Sequence, residues 1–398
     1  MISDVLLALA TMAAGSETIV VRKVDGSRLE VTRIGIDPAS GAALSLADRG
    51  VVSCPLGELV SVEFCARPGA PGASPAAAVA LHDGSRLVGT IRGGDPERLE
   101  LELARGGSLS IPVDAIRAVF AGPRSGTLDV GRFAATGGDS LHRRPEAGGD
   151  ATSGTVVAFG ADAVRFEYSL GAADFPWDEI EAVVLAQQVE IDGPGAPIVD
   201  VDLRPDGSLR GTLVRLTERE LLLKPAGFAA VAGLPLDGVH GLRFRSVGHC
   251  WLSDLAPTRV SQHPFLGREE QFLFPWKADR SVTGGPLQVH GRRYAKGFGC
   301  HSRTVLQFAL DGRFSRFEAE AGVSDEVLDL PDFGAIEFRV LVDGQEKWKS
   351  RMVRGGEPAE PVGPIALAGA KSLELVTDFG AGEDVADRGV WGAPLLLR

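Results

Sequence analysis

The chain has 398 residues, of which 44% are hydrophobic and only 6% aromatic, and it contains 51 Gly and 24 Pro. This length exceeds one ordinary hydrophobic core, so we expect two or more domains, and the many turn-forming residues favour short strands. The formal net charge of −12 argues against a nucleic-acid or anionic-membrane surface, which needs clustered Lys and Arg. Nucleic acid is therefore not expected as a partner.

The first stretch of the chain is apolar from residue 5 to residue 14 and ends on small residues. Such a run is too short to span a bilayer but has the length of a signal peptide. Asp4 stands where a signal peptide usually carries positive charge, so a strand or helix of the mature fold is the alternative. We expect residues 1–15 to be a signal peptide and the protein to be exported to the periplasm, cell surface or medium, with a cytoplasmic location left open.

The four cysteines are too few for a disulfide scaffold. Cys54 could pair with Cys65, and Cys250 with Cys300, because each pair falls within one predicted domain. Four unpaired thiols are the alternative, which we favour. The chain has no C-x-x-C motif, which disfavours thioredoxin chemistry and ribbon-type zinc sites.

A repeat of about 45 residues occupies the N-terminal part of the chain. Each copy opens on an Asp-Gly-Ser turn or a weaker form of it, and each closes on a proline followed by apolar residues four and seven positions later. The opening turns are Asp25-Gly26-Ser27, Asp83-Gly84-Ser85, Gly138-Asp139-Ser140 and Asp206-Gly207-Ser208, and the closing prolines are Pro55, Pro112, Pro176 and Pro235. Because Asp-Gly is common hairpin-turn chemistry, we interpret these turns as structural.

Between these signals each copy carries several short alternating strands, and the spacing after each proline predicts one helical or 3₁₀ turn before a closing strand. The pattern is typical of small β-barrels or sandwiches of SH3 or Sm type. One copy buries little core, so we expect the copies to pair or to share strands. The predicted copies are residues 16–65, 79–121, 128–186 with an insertion, and 198–245, separated by Gly- and Pro-rich linkers such as 66–78.

The composition changes after Ser246, and four of the five tryptophans lie beyond this residue. Alternating segments such as 335–342, which precedes an Asp-Gly turn, recur there without long helical periodicity. This pattern predicts a β-sandwich over residues 250–398. The chain as a whole is therefore predicted to be all-β, with repeated small β-units followed by a sandwich.

Six motifs of this C-terminal domain occur in an order that resembles one known family. They are WLSDL at 251–255, GGPLQVHGRRYAKGFGCHS at 284–302, FSRFEAEAGVSDE at 314–326, IEFRVLVDG at 336–344, GAKSLELVTD at 369–378 and DRGVWGAPLL at 387–396. The order resembles the NPCBM module, a carbohydrate-binding module that accompanies family 98 glycoside hydrolases in bacteria. The resemblance implies a galactose-binding-like jelly roll whose loops at one end bind a glycan.

Sugar recognition needs an aromatic face for the apolar side of a pyranose, and charged or amide groups for its hydroxyls. We predict that loop residues of this domain supply both. The predicted ligand-binding residues are Tyr294, Lys296, His301, Asp325, Glu326, Asp387, Arg388 and Trp391. Three alternatives stay open: Trp391 as a core residue of the last strand, His301 as a residue that fixes a turn, and Asp325-Glu326 as a solvated turn.

The densest acidic cluster is Glu383, Asp384 and Asp387. Relatives of the implied fold often hold a structural calcium ion, so this cluster is the candidate site for one, although no cofactor is required and the spacing of an EF-hand loop is missing. No other cofactor is expected.

Motifs of known enzyme classes are missing from the sequence, including G-x-S-x-G, H-E-x-x-H and G-x-x-x-x-G-K-[ST]. We therefore predict a non-catalytic protein that binds a glycan, with galactose-type sugars the first to test, and whose repeats serve as a spacer or a platform for a protein partner. The alternative is a structural or interaction scaffold whose jelly roll no longer binds sugar. A hydrolase of unrecognised type is a third interpretation.

Overall fold

The computed structural model describes residues 18–48, 50–65, 76–105, 107–122, 132–133, 137–186, 193, 195–267, 273–331 and 333–398. These residues form strands and short 3₁₀ helices, which confirms the predicted all-β class. They divide into two compact units, one ending at Arg245 and the other extending from Ser246 to Arg398. The predicted signal peptide at residues 1–15 and most of the predicted linker at 66–78 lie outside the described residues.

The first unit contains four successive groups of antiparallel strands. The first group is β1 (Thr18–Lys23), β2 (Arg28–Val31), β3 (Arg33–Asp37), β4 (Gly41–Leu46), β5 (Gly50–Cys54) and β6 (Leu59–Cys65). The second is β7 (Ala77–Leu81), β8 (Arg86–Gly94), β9 (Arg98–Leu103), β10 (Ser108–Pro112) and β11 (Ile116–Ala121). The third is β12 (Asp139–Arg143), β13 (Ala151–Phe159), β14 (Ala163–Tyr168), β15 (Gly171–Pro176) and β16 (Ile180–Val184). The fourth is β17 (Ile198–Leu203), β18 (Gly207–Leu216), β19 (Glu220–Pro225), β20 (Ala232–Pro235) and β21 (Val239–Phe244).

Each group is a small barrel-like unit in which the first strand pairs with both the second and the last. The pairs are β1 with β2 and β6, β7 with β8 and β11, β12 with β13 and β16, and β17 with β18 and β21. A 3₁₀ helix follows the proline in three groups, at Leu56–Glu58, Val113–Ala115 and Leu236–Gly238. In the third group Pro176 is followed by a hydrogen-bonded turn instead. A further 3₁₀ helix, Pro145–Ala147, follows β12.

The four groups are joined in two pairs through their closing strands. Strand β21 pairs with β6, where Leu242 lies opposite Val62, and β11 pairs with β16, where Val119 lies opposite Val183. These four residues are the apolar positions seven residues after each closing proline. The sharing of strands expected from the small size of one copy is therefore present, and it buries the residues that define the repeat.

The second unit is a β-sandwich. Its strands are β22 (His249–Trp251), β23 (Arg259–Gln262), β24 (Lys277–Ala278), β25 (Leu287–Val289), β26 (Arg292–Tyr294), β27 (Gly297–His301), β28 (Thr304–Ala309), β29 (Arg316–Val323), β30 (Ala335–Val342), β31 (Gln345–Arg354), β32 (Glu360–Ala366), β33 (Ser372–Phe379) and β34 (Arg388–Leu397). Its 3₁₀ helices are Leu252–Asp254 and Asp325–Val327.

One sheet of the sandwich has the order β24-β27-β34-β29-β32, with β22 also paired to β34, and the other has the order β23-β28-β33-β30-β31. Strands β25 and β26 form a separate hairpin. Side chains from both sheets form one core in which Phe298, Phe308, Phe317, Phe338 and Trp391 are fully buried. In the part of the chain that the structure describes, no helix is long and apolar enough to cross a membrane.

Several loops meet at one end of the sandwich because of the strand directions. Strand β27 ends at His301, directly opposite Arg388, where β34 begins. Strand β29 ends at Val323 opposite Gly389, next to this pair. The segments that follow β27 and β29 and the segment that precedes β34 therefore lie together, and we call this region the loop end.

All four cysteines are reduced thiols in the structure. Cys54 and Cys300 are buried, Cys250 is half-buried and Cys65 is exposed. The two disulfide pairings that were considered from the sequence are therefore not formed.

Candidate functional site

An aromatic and cationic cluster lies at the loop end. The imidazole of His301 stacks on the ring of Phe274, with centroids 5.2 Å apart and planes inclined by 21°. The guanidinium carbon of Arg388 lies 5.6 Å from the centroid of the same ring. Phe274 and Arg388 are both half-buried, so parts of their surfaces remain accessible. This arrangement combines an aromatic surface with hydrogen-bond donors, as sugar recognition requires.

Glu326 adds a carboxylate to the cluster next to Arg388. Its Oε1 accepts hydrogen bonds from Ser281 Oγ and Thr283 Oγ1, each at 2.6 Å, and its Oε2 lies 3.9 Å from a guanidinium nitrogen of Arg388. The side chain is held by the 3₁₀ helix Asp325–Val327, where Ser324 Oγ accepts from the Glu326 backbone N–H. Phe274, Thr283, His301, Glu326 and Arg388 are named the loop-end cluster below.

His301 is the least accessible member of this cluster, with 8% of its surface exposed. Burial lowers the pKa of its imidazole, and the nearby Arg388 acts in the same direction, whereas the Ser302 carbonyl and Asp384 oppose the shift. The ring is therefore neutral at neutral pH. Because Nδ1 lies 2.9 Å from the Ser302 carbonyl oxygen, it carries the proton and donates, which makes Nε2 an acceptor.

Asp387 is a structural residue rather than a ligand-binding or metal-binding one, which corrects both sequence predictions for it. It is 1% exposed, and its two carboxylate oxygens accept from the Ala335 backbone N–H at 2.9 Å and from Ser302 Oγ at 2.5 Å. A buried carboxylate must satisfy its oxygens inside the protein, and here both are used to join three loops.

The predicted calcium site is not assembled either. Glu383 is exposed, and Asp384 Oδ2 accepts from the Phe265 backbone N–H at 3.0 Å, while Asp387 points into the domain. Among the residues that the structure describes, no group of three or more His, Cys, Asp or Glu side chains could hold a metal ion. Two of the three acidic residues, Asp384 and Asp387, therefore serve to hold loops together through hydrogen bonds.

Trp391 lies in the core, where the alternative interpretation placed it. Its side chain is fully buried, its Nε1 donates to Thr377 Oγ1 at 3.0 Å, and it packs edge-on against Phe338. A ring without exposed surface cannot stack on a sugar. Trp391 is therefore removed from the set of ligand-binding residues.

Tyr294 and Lys296 also have their polar atoms engaged inside the domain. The hydroxyl of Tyr294 donates to Glu320 Oε2 at 2.6 Å, and the residue is 5% exposed. The ammonium of Lys296 contacts Asp254 and Asp279 at 2.6 and 2.5 Å. Lys296 directly precedes β27, and His301 is the last residue of that strand. The two predicted site residues therefore lie at opposite ends of β27.

Asp325 fixes a neighbouring loop instead of contacting the loop-end cluster. Its Oδ1 accepts from the His290 backbone N–H at 2.6 Å, and its Oδ2 accepts from the Gly291 backbone N–H at 2.8 Å and from Gln288 Nε2 at 3.0 Å. The carboxylate thus stabilises the turn of the β25–β26 hairpin.

Of the eight predicted ligand-binding residues, the structure brings His301, Glu326 and Arg388 together. The sequence reasoning did not find Phe274, Ser281 and Thr283, which complete their surroundings. Phe274 lies in the segment FLFPW at 272–276, where three of five residues are aromatic. That local density is the signal that points to it.

The fold and the loop-end cluster define an all-β protein whose C-terminal unit is a β-sandwich with aromatic and charged side chains clustered on its loops. Residues 248–397 match the family model of the NPCBM/NEW2 domain, so this unit is an NPCBM/NEW2 domain and the resemblance found in the sequence is confirmed. The alpha-1,3-galactosidase B of Akkermansia muciniphila is 29% identical over 105 residues, which are 26% of this chain and 13% of that protein. The aligned region is thus a small part of this relative.

Similar solved structures include carbohydrate-binding modules of the CBM51 type. The module from Clostridium perfringens GH95, solved with methyl-galactose, is 24% identical with a TM-score of 0.32, covering 37% of this chain and 99% of that one. The tandem CBM51 modules of a family 98 glycoside hydrolase from Streptococcus pneumoniae are 15% identical with a TM-score of 0.32, covering 51% of this chain and 72% of theirs.

Proposed function

We propose that the C-terminal domain binds a glycan through the loop-end cluster. The observation that carries this proposal is the half-buried Phe274 ring, which contacts both the imidazole of His301 and the guanidinium of Arg388. The match of residues 248–397 to the NPCBM/NEW2 domain supports the same ligand class.

The cluster offers each kind of contact that a pyranose needs. The ring of Phe274 covers the C–H face of the sugar, the guanidinium of Arg388 donates to hydroxyl oxygens, and the carboxylate of Glu326 accepts from hydroxyl protons. Because one aromatic contact and a few hydrogen bonds must offset the entropy lost on binding, we expect a dissociation constant of about 1 mM for a single sugar.

We propose that the domain is non-catalytic and that the repeats act as a spacer or as a platform for a protein partner. Glycoside hydrolysis uses two carboxyl groups that face each other across the scissile bond. In the loop-end cluster Glu326 supplies one carboxylate, whereas the oxygens of Asp325 and Asp387 accept hydrogen bonds from neighbouring loops. Export of the protein and a preference for galactose-type sugars are parts of the same proposal.

The test is a glycan-array measurement on the full chain, followed by calorimetry with the glycans that bind. Phe274→Ala and Arg388→Ala should each weaken binding by about ten-fold or more, which corresponds to about 1.4 kcal/mol. Arg313→Ala is the matched control, because Arg313 also lies over a phenylalanine ring, that of Phe314, but in the turn between β28 and β29.

The control should bind as the unaltered protein does, and all three variants should keep their melting temperatures. Absence of binding to any glycan would contradict the proposal and favour the interaction-scaffold alternative. Equal losses in all three variants would show that the loop-end cluster is not the binding site.

A further inference from the structure

A second polar depression lies on the outer face of the five-stranded sheet. Arg259 on β23, Gln307 on β28 and Glu374 on β33 are directly opposite one another across these adjacent strands. In the next row Ser261 lies opposite Val305. These five residues line the depression, whose cavity volume is about 200 Å³. This volume lies below the range of about 300–1,000 Å³ that drug-sized ligands occupy, so the depression suits a small ligand.

The alternation of the strands explains why these residues share a face. Leu306 and Phe308 of β28 point into the sandwich core, so Val305 and Gln307, which alternate with them along the strand, point outward. Val376, which lies opposite Val305 on β33, also faces outward yet is only 4% exposed. Val305 gives the depression an apolar floor beside the covered Val376, and the polar side chains surround it.

The polar groups of the depression are only partly engaged with one another. Gln307 Nε2 lies at a long 3.4 Å from Glu374 Oε1, and Ser261 Oγ bonds His263 Nε2 at 2.6 Å. Arg259 is exposed and, among the residues that the structure describes, its guanidinium makes no ion pair or hydrogen bond. The edge position of β23 leaves this side of the depression open.

The chemistry of these groups selects the charge of a ligand. A guanidinium only donates hydrogen bonds and an ionised carboxylate only accepts them. An anion would be repelled by Glu374 and a cation by Arg259, whereas a hydroxyl group can accept from the one and donate to the other. A neutral ligand with several hydroxyls and an apolar C–H face satisfies both charges and the valine floor.

We propose that this depression, formed by Arg259, Ser261, Val305, Gln307 and Glu374, is a second binding site for a neutral saccharide unit. It is separate from the loop-end cluster and shares only the class of ligand with it. Two weak sites on one domain would allow a glycan chain or a glycan-coated surface to be held at both, which raises the apparent affinity without new contacts.

The experiment is methyl NMR on the full chain with labelled valine and leucine methyl groups. The probes are three sugars of matched shape: methyl galactoside, which is neutral, galacturonate, which is an anion, and galactosamine, which is a cation. Val305 and Val376 report on the depression. Val282 reports on the loop-end cluster, because its neighbours in the sequence, Ser281 and Thr283, both donate hydrogen bonds to Glu326.

We expect the methyl signals of Val305 and Val376 to shift saturably with methyl galactoside. The apparent affinity should be at least ten-fold higher than with either charged probe. Arg259→Ala and the isosteric Glu374→Gln should each weaken this response by about ten-fold or more. Lys347→Ala, which removes an exposed cation from β31 of the same sheet, is the control and should leave it unchanged.

The two reporters separate this proposal from the previous one. If the signals of Val305 and Val376 stay unchanged while Val282 shifts, the second site alone is overturned. If Val305 and Val376 shift while Val282 stays unchanged, the loop-end site alone is overturned. If none of the three signals shifts, both proposals are overturned. A stronger response to a charged probe would also contradict the inference, because the selection for neutrality would be wrong.

Discussion

The indole of Trp391 donates a hydrogen bond to Thr377 Oγ1 at 3.0 Å in the core between the two sheets of the sandwich. Trp391→Ala should therefore lower the free energy of unfolding of this domain by about 3–5 kcal/mol, the usual cost of removing a buried large aromatic side chain. Denaturant unfolding followed by near-UV circular dichroism would measure the change. A loss of glycan binding at an unchanged unfolding midpoint would instead mean that Trp391 contacts the ligand.

The Asp-Gly-Ser turns of the second and fourth strand groups form a joint between repeats. Asp206 accepts from the Arg86 guanidinium at 2.5 Å, and the two side chains are 15% and 9% exposed. Asp206→Asn removes the negative charge that faces a largely buried guanidinium, so we expect a loss of about 3 kcal/mol in the stability of the first unit.

The equivalent substitution Asp25→Asn in the first group is the matched control for this joint. The Asp25 side chain is 58% exposed and lies 3.7 Å from Lys23, so the change should cost about 1 kcal/mol or less. Thermal unfolding of both variants would make the comparison. Equal losses would show that the turn itself, and not the joint, requires the carboxylate.

The thiol of Cys300 should be unreactive while the protein is folded. Burial raises its pKa to about 12, although a hydrogen bond with Thr377 acts in the opposite direction. Because the thiolate is the reactive species, a thiol reagent near pH 8 should label exposed Cys65 first and Cys300 only after denaturation. Mass spectrometry of labelled peptides would check the order, and Cys65→Ser should remove the fast phase.

The buried imidazole of His301 should make the second unit less stable in acid. Burial lowers its pKa below the value of about 6.5 that it has in the unfolded chain, so the unfolded state takes up a proton first as the pH falls. The neutral imidazole of His301 therefore contributes fully to the free energy of unfolding above pH about 6.5. This contribution is lost as the pH falls through the pKa of the folded state.

Denaturant unfolding of the second unit between pH 8 and 5 would measure this effect, with His301→Gln as the comparison. The variant should lose less stability on acidification than the unaltered protein. An identical pH dependence would show that His301 is not the group responsible. The pKa values of His82 and His142 are also lowered by burial, but these residues lie in the first unit.

Much of the architecture follows from local patterns in the sequence. Alternating apolar residues and Asp-Gly turns predict the strands and hairpins, because side chains on a strand point to opposite faces and Asp-Gly adopts the backbone angles of a tight turn. The spacing after Pro55, Pro112 and Pro235 predicts the 3₁₀ helices, because it places apolar residues on one side of a single turn. His301 and Arg388 were predicted as site residues because they stand where a strand meets a loop, and the structure brings them together.

The fate of the other site residues depends on contacts between distant segments. Strand β34 is central in its sheet and covered on both faces: Trp391 enters the main core, while its neighbour Val390 packs with the hairpin residues Leu287 and Tyr294. Alternation cannot reveal which residue of such a strand faces a ligand when neither face meets solvent.

The all-β class, the fourfold repeat and the NPCBM/NEW2 domain follow from the amino-acid sequence, because these rest on turn chemistry, periodicity and the order of motifs. Which polar groups are available to a ligand depends instead on tertiary contacts. The carboxylates of Asp387 and Asp325 accept hydrogen bonds from backbone N–H groups of other loops. Phe274 stacks on His301 although the two residues lie in different segments of the chain. Every buried polar group must find a partner, and that partner is set by the packing of loops that local sequence does not encode.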